Sequence, residues 1–309
     1  MSYRIRNWSK YTAGLKQCGR VTFWLSGDVI DGWLEPNLTG RRGASPTYAD
    51  VAIVTFETLK SIYGLAGRQT EGFIASLFEL MGVGLPVPEH STVSRRKGKL
   101  SITLPVVPKS GSVHLVVDST GVKVYGEGEW KTRQHGISKR RTWRKLHLGV
   151  DESTGEILAG VVTSNNCHDS EVLPDLLEAT EADIEQVSAD GAYDKRGCYD
   201  ALTDRGAKAA IPPQKNAKIW QHGNCNAPPH LRDENLRAIR KRGRTAWKRQ
   251  SNYHRRSIAE TTMFRLKAIF GGKLRSRTFD NQAAELLLQC AALNRMIQAA
   301  KPDTVWVED

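Results

Sequence analysis

Between Thr47 and Met81 the apolar positions recur at helical spacing. Val51, Val54, Leu59, Ile62 and Tyr63 make one stripe, and Phe73, Ile74, Leu77, Phe78 and Met81 make a second. Gly64 and Gly67 separate the two helices, and Gly82, Gly84 and Pro86 end the second. A short helix follows Pro88, with Ser91 or Thr92 as its cap and Arg95, Arg96 and Lys97 projecting from it. Helix, turn and a short helix rich in hydroxyls and arginine form the layout of a helix-turn-helix DNA reader. Upstream, Trp8, Trp24 and Trp33 read as packing residues, before a turn-rich TGRRGASP exit.

The period then changes. LPVVPKSGS, near residues 104 to 112, reads as a linker. His114 to Val117 is a short apolar run that meets Asp118, and a second β-prone run follows Ser-Thr-Gly. KLHLGVDESTGEILAGVVTS predicts two strands joined by a turn around Glu152 to Gly155. HDSEVLPDLLEAT predicts a helix capped by Asp169 or Ser170. IEQVSADGAYD predicts a strand leading to Asp190; a helix stopped by Gly206 and a last strand, AKAAIPP, come after it. Residues 214 to 252 lose periodicity, and DNQAAELLLQCAALNRMIQAA predicts a long final helix. The order is that of a mixed α/β sheet behind an all-α module.

Within YHRRSIAETTMFRLK, Tyr253, Arg256, Glu260 and Lys267 are spaced by 3, 4 and 7 residues. On an α-helix they share one stripe, with Ile258, Leu266, Ile269 and Phe270 roughly opposite. Asp118 and Asp190 end strand-like runs, so both can meet Glu260 at one edge of the sheet. Three carboxylates suit a hard divalent cation bound through oxygen, and such ions drive phosphodiester chemistry. No Walker loop, HExxH pair or Ser-His-Asp order competes, and a DxDxT phosphatase start fails at Thr120.

Charge points the same way. The 309 residues hold 45 Lys and Arg against 33 Asp and Glu, a net charge of +12, which suits a polyanionic partner. Two runs concentrate it. Residues 131 to 145 carry seven Lys or Arg and no acid, including Arg140, Arg141, Arg144 and Lys145. Arg232 to Arg256 carries ten Lys or Arg with two acids and reads as a phosphate-contacting surface. The start lacks the apolar core of a signal peptide, and no apolar run approaches a membrane span. Five scattered cysteines without a CxxC pair argue against a zinc ribbon or a disulfide framework and for reduced thiols in a cytoplasmic protein.

These residues resemble a known family. VVDSTG at 116 to 121, ADGAYD at 189 to 194, and the Y-x2-R-x3-E-x6-K spacing of Tyr253, Arg256, Glu260 and Lys267 look like a bacterial insertion-sequence transposase of the DDE class, of the insertion-sequence-five family. Intervals of 72 and 70 residues between the three carboxylates suit it, and PEHSTVSRR resembles its amino-terminal DNA-binding segment. The resemblance implies an RNase H-like core with a mixed five-stranded sheet and flanking helices. It implies Mg2+ or Mn2+ on Asp118, Asp190 and Glu260. Tyr253, Arg256 and Lys267 would contact DNA near the cleaved phosphate.

The resemblance further implies double-stranded DNA as partner, both terminal inverted repeats and target, and a homo-oligomer that joins two ends, with no membrane. Ser91, Thr92, Ser94, Arg95, Arg96 and Lys97 would contact DNA from the amino-terminal reader, and Arg140, Arg141, Arg144 and Lys145 from the first basic run. The expected domains are a DNA-binding module at 1–105, a catalytic domain at 112–300 and a tail at 301–309. An RNase H-like nuclease that only hydrolyses DNA, or a silent DNA-binding regulator, remains an alternative at this point.

Overall fold

A computed structural model of the chain describes residues 2–37, 47–124, 143–221 and 229–307. Trp130, Arg140, Arg141 and most of the first basic run lie outside the described residues.

By contact the chain divides into two units, Met1–Pro105 with Leu274–Asp309, and Val106–Lys273. The first unit opens with strand β1 (Ser2–Ile5) and helices α1 (Trp8–Cys18), α2 (Val21–Trp24) and α3 (Gly27–Asp31). Helices α4 (Asp50–Ile62), α5 (Gly67–Met81) and α6 (His90–Lys97) follow. Trp24 and Trp33 are buried as expected, but Trp8 is exposed. Glu89 stands at the N-cap of α6, in place of the expected Ser91 or Thr92, which fall inside the helix.

The second unit is built on β2 (Val113–Val124), β3 (Trp143–Asp151), β4 (Ile157–Ser164), β5 (Ile184–Ser188) and β6 (Lys208–Ala210). Their order is β4-β3-β2-β5-β6, with β2, β5 and β6 parallel and β3 antiparallel to both of its neighbours, β2 and β4. A two-residue strand, β7 (Lys273–Leu274), pairs with β2 off this path, making six strands where the resemblance implied five.

Alternation along β2 decides what reaches the site. Val113, Leu115 and Val117 enter the core formed with α7 (Leu173–Glu178) and α8 (Arg196–Asp204). The even positions, Val116, Asp118 and Thr120, therefore turn to the other face. On that face lies α11 (Ser257–Phe270), which packs on β2 and β3 through Ala259, Thr262, Met263 and Leu266. The expected helix start at Asp169 or Ser170 is a 3-10 turn, Asp169–Glu171, and the α-helix begins after Val172 with Pro174 in its first turn.

The region without periodicity contains two helices, α9 (Leu231–Arg242) and α10 (Arg244–Gln250). Each buries little apolar surface, chiefly Leu236 and Trp247, so no stripe shows in the sequence. Polar anchors hold α9 instead. Arg232 and Asp194 form a buried pair at 2.6 Å, and the guanidinium lies 3.9 Å from the Trp220 ring centre. Asp233 accepts the backbone N–H groups of Trp220 at 3.0 Å and Gln221 at 2.8 Å.

The first unit resumes with α12 (Phe279–Ala299), which the sequence pattern had run on with the sheet domain to residue 300. It packs instead on α1, α4 and α6. Most of its residues are buried, including Gln282, Glu285, Gln289 and Asn294, so polarity gives no hint of a partner. A Cβ on Gly14 of α1 would lie 2.0 Å from the Ala299 carbonyl oxygen, which only glycine permits. The expected tail holds a strand, β8 (Thr304–Val307), antiparallel to β1. Among the described residues no helix is long and apolar enough to cross a membrane.

Candidate active site

Val116 of β2 and Ser188 of β5 are partners in a parallel register. Asp118 and Asp190 each stand two residues further along their chains, so the twin positions follow from the register. Asp118 Oδ1 accepts the N–H of Ser119 at 2.8 Å. Asp190 caps the 3-10 turn Gly191–Tyr193, its Oδ1 accepting the N–H of Ala192 at 2.8 Å.

Glu260 comes from the first turn of α11. Tyr253 and Arg256 do not lie on that helix. They belong to a 3-10 turn, Tyr253–Arg256, and Arg256 is the N-cap of α11. The single α-helical stripe predicted for all four residues is therefore broken between Arg256 and Ser257. Asn252, at φ 52°, starts the turn in the left-handed region, a conformation asparagine tolerates.

Arg256 links two of the carboxylates. One guanidinium nitrogen lies 3.0 Å from Asp118 Oδ2, and the other pairs with Glu260. Lys267 does not reach Glu260; its Nζ donates to Thr120 Oγ1 at 2.5 Å, on the same face of β2 as Asp118. Thr120, which in the sequence only rules out a phosphatase motif, is thus the hydrogen-bond partner of Lys267.

Burial pushes the Asp118 carboxyl above the usual range. The Ser119 N–H and Arg256 oppose that shift, whereas Asp190 and Glu260 add to it. Asp190 and Glu260 are thus both close enough to act on Asp118. Burial also raises the Tyr253 phenol, with Asp190 and Asp118 contributing and Arg256 opposing. Tyr253 packs 5.9 Å from the Trp247 ring, and Lys248 Nζ lies 5.1 Å from its centroid. Tyr193 carries a buried phenol oxygen with no hydrogen-bond partner among the described residues. Burial and the nearby Asp169, Asp118 and Asp190 push the phenol well above its ordinary range, so it stays a neutral hydroxyl.

Two aspartates and a glutamate offer only hard oxygen donors, which fit a divalent cation. Among the described residues no three acid, histidine or cysteine side chains are placed closely enough to share one ion. The Arg256 guanidinium instead holds a positive charge between Asp118 and Glu260.

Elsewhere the structure separates the predicted DNA contacts. Lys97 is buried at 3% exposure, paired with Glu57 at 2.9 Å and hydrogen-bonded to Ser276 Oγ at 2.7 Å. A buried ammonium cannot reach a phosphate, so its expected role as a DNA contact is corrected to a structural one. Arg96 is tied to the Tyr48 carbonyl and, at 2.5 Å, to Asp50. Ser91 donates to Glu89 at 3.1 Å and Thr92 accepts from Arg95 at 3.2 Å. Ser94 and Arg95 are exposed.

In the second unit Lys145 donates to Asp169 at 3.0 Å and to the Cys167 carbonyl at 2.9 Å, whereas Arg144 is half-buried. Arg232, the first cation of the second basic run, is taken by Asp194. Lys241, Arg242 and Arg249 are exposed on α9 and α10.

Two family models, each described as a transposase DDE domain, match the chain over residues 16–127 and 109–295. The second contains Asp118, Asp190 and Glu260 and covers more than half of the 309 residues. The chain belongs to the transposase DDE-domain family, whose work is transposition and DNA recombination, and its mixed α/β sheet is consistent with an RNase H-like DDE domain.

Proposed function

We propose that this transposase binds the terminal inverted repeats of an insertion sequence, cuts at the element's ends and joins the 3′-hydroxyl to target DNA. The insertion-sequence-five family is the subgroup that the Tyr253, Arg256, Glu260 and Lys267 spacing supports. The observation that carries the reading is the place of Asp118 and Asp190, each two residues beyond the paired Val116 and Ser188 of adjacent parallel strands, with Asp118 coupled by charge to Asp190 and to Glu260 on the helix across the sheet.

Asp118, Asp190 and Glu260 would hold Mg2+ or Mn2+. Such an ion, when bound, polarises the phosphodiester and eases deprotonation of the attacking hydroxyl. Lys267, pinned near Asp118 by Thr120, is placed to hold a phosphate oxygen as a point charge. Arg256 neutralises Asp118 and Glu260 until it yields one of them. The attacking oxygen forms a new P–O bond as the old one breaks, with no covalent enzyme intermediate. Exposed cations of α9 and α10 suit the flanking backbone, and Ser94 and Arg95 suit the reader helix of a helix-turn-helix. Joining two ends calls for two or more copies on DNA, acting in the cytoplasm.

The test uses labelled DNA carrying the ends of the element and a target duplex. Asp118→Asn, Asp190→Asn and Glu260→Gln should each abolish cleavage and joining while end binding persists. Wild-type rates in any one variant would remove that residue from the site. Cut ends that are never joined would reduce the enzyme to a nuclease.

A further inference from the structure

Phe264 is 72% exposed, although its helix buries Met263 and Leu266 beside it. It lies one turn after Glu260 and three residues before Lys267, so it stands on the same side of α11 as both. Its other neighbours on the open side, Thr261 and Ala268, are small and exposed. One phenyl ring thus projects between a carboxylate and an ammonium of the candidate site.

A protein partner would need a contiguous apolar patch, and the residues around Phe264 do not make one. A nucleotide needs less: a flat apolar face for the base and a cation for its phosphate. Phe264 and Lys267 supply that pair within one helical turn, about 5.4 Å, which matches the reach from a phosphate to its own base. Lys267 on α11 and Arg256 at its N-cap favour a polyanion over a protein surface.

We propose that Phe264 stacks on the base bordering the reacting phosphate and so positions the strand. A base inside a duplex has both faces covered, so this contact needs a strand end or a frayed pair. The inference rests on the reading of Asp118, Asp190 and Glu260 as the cleavage site.

The test measures binding of the full-length chain to two probes of one sequence: a fully paired duplex, and the same duplex with a short unpaired fork carrying 2-aminopurine. Wild type should bind the fork more tightly, with a change in 2-aminopurine fluorescence. Phe264→Ala should lose that preference by about five- to a hundredfold, in keeping with the worth of one base–aromatic stack. Phe264→Trp should keep it, and Phe264→Leu, similar in bulk but without a π-face, should not.

Binding to the paired duplex should stay unchanged in every variant, because exposed cations carry it. If wild type binds neither probe, the DNA reading itself fails. If it binds both but Phe264→Ala keeps the fork preference, or Phe264→Leu matches wild type, stacking is refuted. A change of oligomeric state in Phe264→Ala on sedimentation would also overturn the proposal and point to a protein contact.

Discussion

Arg256 occupies the place in the site where a cation matters most. Its guanidinium touches Asp118 and Glu260, so it competes with any metal ion for the same charges. Arg256→Ala should therefore bind Mn2+ more tightly in calorimetric titration, by about two- to fivefold, because partly exposed pairs are worth little each. Weaker binding would show instead that the guanidinium holds the carboxylates in place. Lys267→Ala should leave Mn2+ binding untouched and slow cleavage on the order of a hundredfold, the usual cost of a small misplacement. Lys267→Arg should recover part of the rate, since a planar fork is no substitute for a point charge. That Asp118, Asp190, Glu260 and Lys267 are candidates for one site was legible from spacing. The Arg256 bridge was not, because spacing fixes which face a residue occupies and says nothing of its rotamer.

At the scale of elements, α6 shows how a basic helix can mislead. Arg95, Arg96 and Lys97 look alike in sequence, yet Lys97 is locked to Glu57 in the interior. Removing one partner of a buried pair strands the other charge, so Lys97→Ala should cost about 3–5 kcal/mol in thermal or chemical unfolding. Replacing Lys97 by Met and Glu57 by Leu together should restore most of that loss. Unchanged stability with weakened DNA binding in Lys97→Ala would return the residue to the DNA surface.

The same pair sets a pH limit. Burial alone would raise the Glu57 carboxyl, but Lys97 and Lys60 outweigh it and hold it below the usual range. The folded state then keeps Glu57 ionised where the unfolded chain has begun to take up a proton. Its contribution is full above the unfolded pKa and is lost as pH falls through the lowered one. Glu57→Gln should flatten this acid limb of the stability curve. Helix α5 was legible because it sets an apolar stripe, with Ile74 and Phe78 buried, against a polar face; α4 buries Glu57 and Thr58 as well as Phe56 and Leu59, and on α11 Leu266 is buried as expected but Ile269 is exposed. Helix α9 was hidden because a buried pair, Arg232–Asp194, anchors it, and no hydrophobic periodicity records a salt bridge; α10 was hidden because Trp247 is its one buried residue.

For the whole molecule, the decisive feature is that the first unit is assembled from two distant stretches. Residues 1–105 alone would leave bare the faces of α1, α4 and α6 that α12 covers, and β1 without β8. A chain ending at Lys273 should keep a protease-resistant sheet unit but lose cooperative melting of the amino-terminal helices. Supplying residues 274–309 as a separate peptide should restore it; a fully cooperative amino-terminal unit without them would contradict the packing. This division was illegible because α12 follows the sheet domain directly in sequence and buries polar and apolar residues alike.

The split also fixes an order of events during synthesis. Helices α1 to α6 leave the ribosome first, yet their last partner arrives nearly two hundred residues later. At ordinary bacterial elongation rates that is a delay of about 10–40 s. The sheet unit, contiguous from Val106 to Lys273, is complete before it ends. The unit that emerges first is therefore finished last, and in a nascent chain the sheet unit that carries Asp118, Asp190 and Glu260 is complete before the amino-terminal unit closes.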